Sequence, residues 1–137
     1  MRQGYLPRPG PSTATRVILV VDDEVTIRRF VGTVLEREGF RALFADGAVE
    51  ALEQLEKFPS IDLLLTDVRM PRMNGVDLAR EIVRLRPAMR VIFMSGSCDD
   101  DYRSVTQEPL LAKPFRVAQL LDCVEAALTD RSVAIGA

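Results

Sequence analysis

Histidine is absent from this chain of 137 residues. Its absence excludes imidazole acid/base chemistry, a Ser-His-Asp triad and histidine-ligated metal sites. Any metal here must be held by oxygen ligands. Cysteine is scarce: Cys98 and Cys123 lie far apart, with no CxxC spacing. That usage fits a reduced, cytoplasmic protein without a zinc site. Long apolar runs are missing, so no segment reads as a membrane span, and the start has no signal-peptide pattern. The formal net charge is only −2, which gives no reason to expect direct nucleic-acid binding or an acidic membrane surface as partner.

Apolar residues are plentiful, at 47% of the chain, enough for one substantial core in one domain. Residues 1–14, MRQGYLPRPGPSTA, are rich in Pro, Gly, Ser and Thr and read as a flexible tail or linker. Residues 131–137 read as a C-terminal tail, leaving 15–130 as the domain. Within it, strands and helices alternate. RVILVV (16–21) is a continuous apolar run after Arg16, rich in β-branched residues, as expected of a strand buried on both faces. Segment 24–38 places Ile27, Phe30, Val31, Val34 and Leu35 on one helical stripe, and Gly39 stops it. RALFA (41–45) is a second strand, and Asp46 is a plausible N-cap for a helix that buries Ala48, Ala51, Leu52 and Leu55. IDLLLT (61–66) is the third strand. Residues 76–85 form a helix with Leu78, Ala79, Ile82 and Val83 inward. RVIFMS (90–95) and PLLA (109–112) are the fourth and fifth strands, with a small helix expected within 98–107. The last helix runs over about 115–130, with Val117, Leu120, Leu121, Val124 and Leu128 on one stripe. Strands alternating with helices predict an α/β fold, a parallel sheet covered on both faces.

In such sheets, ligands bind beyond the carboxyl ends of the strands. The residues at those ends are Asp22-Asp23-Glu24, then Asp67, then Ser95-Gly96, then Lys113-Pro114. Clustered carboxylates repel one another unless cations compensate. A hard divalent cation does so with oxygen ligands, and Mg²⁺ suits one or two carboxylates plus waters and a phosphate oxygen. Lys113 adds a second positive charge. One carboxylate surrounded by Mg²⁺ and a lysine is built to receive a transferring phosphoryl group, with the carboxylate as nucleophile. Ser95 can then donate a hydrogen bond to a phosphoryl oxygen. Blander roles compete: Asp22 or Asp23 can cap a helix, Lys113 can be solvated, and a hydroxyl at a strand end is common. Pro71 and Gly75 read as turn-shaping residues, and Arg69 and Arg72 as either solvated or attractive to an anionic donor.

Taken together, the acidic pair Asp22-Asp23, Asp67 with Pro71 and Gly75 in DVRMPRMNG, Ser95, and KPF at 113–115 resemble the receiver domain of two-component response regulators over residues 16–130. The resemblance implies a flavodoxin-like sheet of five strands in the order 2-1-3-4-5. It implies that Asp67 accepts a phosphoryl group from a phosphohistidine on a sensor histidine kinase or phosphotransfer protein, with small donors such as acetyl phosphate also suitable. Asp23, Asp67 and the backbone carbonyl of Arg69 would bind Mg²⁺ directly, Asp22 would act through a water, and Ser95 and Lys113 would contact the phosphoryl oxygens. A chain without histidine cannot be its own phosphohistidine donor.

The chain departs from that pattern in two places. Leu110 stands where many receivers carry Tyr or Phe, so an aromatic switch is not expected. The stretch from Ser95 to Lys113 is short and carries Asp99, Asp100 and Asp101 together, so the fourth helix is expected to be short or irregular.

The leading expectation is a phosphorylation-controlled binding module without an output domain, not an enzyme on external substrates. Its downstream target is unidentified and a homodimer is left open. A receiver from the end of a hybrid histidine kinase is a close alternative. A Mg²⁺-dependent aspartyl phosphatase would need DxDxT after the first strand, where this chain has DDEVT. A pseudo-receiver that binds without phosphorylation would not need the full acidic, hydroxyl and lysine set. The shortened segment generates a first prediction: amides in 97–108 exchange with deuterium faster than those of the neighbouring helices, and equal protection would refute it.

Overall fold

Residues 15–96 and 109–129 are described by a computed structural model. Both expected tails, the small helix within 98–107 and Cys98 lie outside these residues. In order, the elements are β1 (Val17–Val21), α1 (Val25–Arg37), β2 (Arg41–Ala45), α2 (Ala48–Lys57), β3 (Leu63–Asp67), α3 (Gly75–Leu85), β4 (Arg90–Ser95), β5 (Leu110–Ala112) and α4 (Val117–Thr129).

The strands form one parallel sheet in the order β2-β1-β3-β4-β5. The central run Leu63–Leu65 explains why the sheet is covered twice. Leu64 enters the core shared with α2 and α3, while Leu63 and Leu65 enter the one shared with α1 and α4. All three are fully buried, each contributing roughly 1.5–3 kcal/mol. A strand with two apolar faces needs two apolar layers, and helices in parallel crossovers supply them.

The same pleat positions the residues just beyond the strands. Side chains two residues apart share a face. Ile18 and Val20 line the α1/α4 core, as do Leu63 and Leu65, and Leu111. Two residues further on stand Asp22, Asp67 and Lys113. Asp22 N–H donates to the Ala45 carbonyl, and Lys113 N–H to that of Ser95, so the ladder holds both just past their strands.

Some expected details differ. Phe30 and Val117, expected inward, are 39% and 46% exposed. Phe30 sits at the rim of the α1 stripe and meets the ring of Phe115 at 6.0 Å, while Val117 opens α4. The buried position on α1 that the stripe omits is Gly32, which lies under the Phe44 ring. Gly47, not Asp46, is the N-cap of α2, and it makes no side-chain bond. Asp46 instead donates its N–H to Glu50 Oε1. β3 starts two residues later than expected because Asp62 Oδ2 takes the Val17 N–H through its side chain. Gly39, as expected, follows α1 with φ +92°, a conformation that favours glycine.

Gly75 opens α3 against the end of β3. A Cβ there would lie 1.9 Å from the Asp67 carbonyl oxygen, a backbone atom fixed in the sheet. At Gly32 the obstruction is the Phe44 ring at 2.4 Å, on a side chain that is partly exposed and can turn aside. Gly75→Ala is therefore expected to destabilise the protein by about 1–3 kcal/mol or more, whereas Gly32→Ala, helped by the helix propensity of alanine, stays within about 1 kcal/mol of wild type. Urea unfolding of the two variants checks the contrast.

Candidate functional site

Asp22, Asp23 and Asp67 come together at the carboxyl ends of β1 and β3, with carboxylate oxygens all within 4.8 Å of one another. Asp22 is fully buried and Asp67 nearly so, while Asp23 is exposed. Lys113 reaches into the cluster from beyond β5. Its Nζ lies 2.9 Å from Asp22 Oδ2, 3.5 Å from Asp67 Oδ1 and 3.8 Å from Glu24 Oε1. Ser95 is buried on the same rim, one residue past Met94, the partner of Asp67 in the β3–β4 register. Arg69 lies exposed two residues beyond Asp67. The sequence-predicted set thus shares one rim, and the tight cluster within it is Asp22, Asp23, Asp67 and Lys113.

Neither member of the acidic pair caps α1. The N-cap is Glu24, without a side-chain bond. Asp22 instead turns its carboxylate across the rim. Its Oδ1 accepts the Glu24 N–H at 2.9 Å, and its Oδ2 accepts Lys113. This gives the buried carboxylate the partners that burial demands.

Asp67 ends β3 under several constraints. The Val68 N–H donates to the Met94 carbonyl, and the Gly75 N–H returns to the Val68 carbonyl at 2.7 Å. The Thr66 hydroxyl donates to the Asp67 carbonyl at 3.0 Å. Between these anchors the loop makes a tight turn. The Met73 N–H donates to the Pro71 carbonyl, with Arg72 between them at φ 74°. A γ-turn of that hand is rare and strained for a residue with a Cβ. Asn74 then caps α3, accepting from the N–H groups of Val76 and Asp77 at 2.7 and 3.2 Å. The Lys113–Pro114 peptide bond is cis.

Burial, then the charge of Asp22, pushes the Asp67 carboxyl up to about 6; Lys113 opposes the rise. Burial works against the charge on Lys113, but its hydrogen bond to Asp22 and the surrounding carboxylates outweigh that and hold it above its ordinary value. The pocket holds more negative charge than one lysine offsets. Its donors are all oxygens, as a hard divalent cation requires. Asp22, Asp23 and Asp67 are the residues whose carboxylates could hold such a cation.

Four residues make contacts that the sequence reading did not assign. Glu24 joins Lys113, Thr66 and Gly75 fix the Asp67 carbonyl, and the Arg28 guanidinium donates to the Asp22 carbonyl at 2.7 Å. Apart from the Thr66 bond, which stays within β3, these contacts join different segments of the chain, and no local spacing rule marks them.

The raised Asp67 carboxyl carries a pH consequence. Its folded value exceeds its unfolded one, so the folded state is penalised as pH rises from about 4 to about 6. In metal-free buffer, the melting temperature of Asp67→Asn should therefore gain on wild type across that window and hold its lead above it. A constant difference from pH 4 to 8 would contradict this.

Comparison with known proteins agrees with the geometry. Residues 18–125 match the response regulator receiver domain family. The response regulator receiver protein CpdR of Brucella abortus is 32% identical over 112 residues, covering 79% of this chain and 92% of that protein. The sensor kinase CckA of the same organism is 32% identical over 118 residues, covering 82% of this chain but only 12% of the kinase. A crystal structure of a receiver domain protein from Clostridium thermocellum superposes with a TM-score of 0.77 at 32% identity, over 86% of this chain and 98% of that one. No helix among the described residues is long and apolar enough to cross a membrane. The chain belongs to the response regulator receiver family of two-component signalling proteins.

Proposed function

We propose that Asp67 accepts a phosphoryl group from a phosphohistidine of a sensor histidine kinase or phosphotransfer protein, with Mg²⁺ as cofactor. The modified chain then signals by changing its affinity for a protein target. The observation that carries this reading is the convergence of the carboxylates of Asp22, Asp23 and Asp67 with Lys113 on one strand-end rim.

In this reading an ionised Asp67 oxygen attacks the phosphorus. The P–N bond to imidazole breaks, the imidazole leaves with the electron pair, and an acyl phosphate remains on Asp67. Lys113 already stands 3.5 Å from Asp67 Oδ1, where its charge both keeps the nucleophile ionised and meets a phosphoryl oxygen. Ser95 offers a hydroxyl donor to another oxygen. Asp23, Asp67 and the Arg69 carbonyl would hold Mg²⁺ directly, and Asp22 would act through a water. When bound, the cation neutralises charge that develops on the transferring oxygens. The chain acts as a switch and not on external substrates. CpdR is a receiver protein, and this chain spans 92% of it. The similarity to a short part of the sensor kinase CckA supports a second setting, a receiver within a kinase.

Incubation with Mg²⁺ and acetyl phosphate, followed by intact mass measurement, tests the proposal. Wild type should gain one phosphoryl group, chelation of Mg²⁺ should suppress the gain, and Asp67→Asn should show none. Lys113→Met should slow the reaction by roughly 10²-fold or more. An adduct of equal yield on Asp67→Asn, or none on wild type with either acetyl phosphate or beryllium fluoride, would overturn the reading.

A further inference from the structure

Asp22 is held at every polar atom it has. Its N–H donates to the Ala45 carbonyl at 3.1 Å. Its Oδ1 accepts the Glu24 N–H and its Oδ2 accepts Lys113 Nζ, both at 2.9 Å. Its carbonyl oxygen accepts Arg28 Nη1 at 2.7 Å. The first three partners belong to the sheet, the turn and the proposed reaction centre. The fourth comes from the end of the first turn of α1, and neither the strand ladder nor the phosphoryl chemistry calls for it.

The Asp22 carbonyl belongs to the peptide that joins Asp22 to Asp23. Fixing that oxygen fixes the peptide plane before Asp23, and the Glu24 N–H held by Asp22 Oδ1 fixes the plane after it; together the two set the direction in which the Asp23 Cβ leaves the backbone. Asp23 is exposed, so packing does not hold it against Asp67. Arg28 is half-buried and bound to the same turn a second time, its backbone N–H donating to the Glu24 carbonyl at 3.2 Å. The helix and the acidic turn are thereby locked as one piece.

The geometry points to Arg28 as a positioning residue for divalent-cation binding, one that holds the Asp22–Asp23 peptide so that an exposed carboxylate stays aimed at Asp67. This inference rests on the receiver reading of the site. It also makes a claim of unusual sign. By charge alone, an arginine near a cation site repels the cation, so its removal should tighten binding. As a positioning residue, its removal should weaken binding, because partners that orient metal ligands are typically worth 10–100-fold in affinity.

Titration calorimetry of the metal-free chain with Mg²⁺ separates the two. Arg28→Met should raise the Mg²⁺ dissociation constant roughly tenfold. Arg28→Lys, which keeps a charged donor of shorter reach, should recover part of that loss. Arg29→Met removes the same charge from the exposed neighbouring residue and should leave the constant unchanged or lower it. Melting temperatures in chelator establish that each variant is folded. Should Arg28→Met fail to fold, Arg28→Lys and Arg28→Gln carry the test, with Gln the weaker binder. Binding by Arg28 variants equal to or tighter than wild type would overturn the inference and leave the proposed function standing. Absence of Mg²⁺ binding by wild type would overturn both.

Discussion

One ammonium group among several carboxylates is the interaction on which the rest of this structure depends. Lys113 is only 13% exposed and faces Asp22, Asp67 and Glu24 at once. Without it, Asp22 would be a fully buried carboxylate beside another, an arrangement that burial and like-charge repulsion both oppose. With it, the pocket is tolerable but still short of positive charge, and Asp67 registers the deficit as a carboxyl raised to about 6. A hard divalent cation would offset such a deficit.

Everything around this cluster limits how its members move. The pleat delivers Asp22, Asp67 and Lys113 from three strands on one phase, two residues past side chains that anchor the α1/α4 core. Asp67 is held by neighbours on both sides: its carbonyl by Thr66 and by the close approach of Gly75, its successor Val68 by Met94. The strained turn at Arg72 is tolerated because the chain must travel from the end of β3 to the start of α3 within seven residues while closing on Gly75. These anchors hold the Asp67 backbone from both sides.

The way out of the site is less conventional. Leu110 is half-buried and packs against the core shared with α2 and α3. An aliphatic side chain there fills space but has no ring to swing and no hydroxyl to re-pair. The chain therefore has no aromatic rotamer at this position of β5.

Much of this was legible before any coordinate. The apolar run Val17–Val21, the RALFA and RVIFMS strands and the stripes at Val31, Val34 and Leu35 are local patterns with a period, and periods determine which face is buried. Strand-end residues could be named because a parallel sheet puts all carboxyl ends on one side. What those patterns cannot contain is contact between elements distant in the chain. The sequence could not assign Oδ2 of Asp22 to Lys113, ninety-one positions away, or set Gly75 against the Asp67 carbonyl. It could not turn Phe30 outward onto Phe115, or send Arg28 back to the Asp22 carbonyl. Secondary structure and the roster of the rim come from short-range periodicity and strand polarity. The charge balance of the pocket and the aim of each carboxylate come from distances that exist only once the sheet has closed.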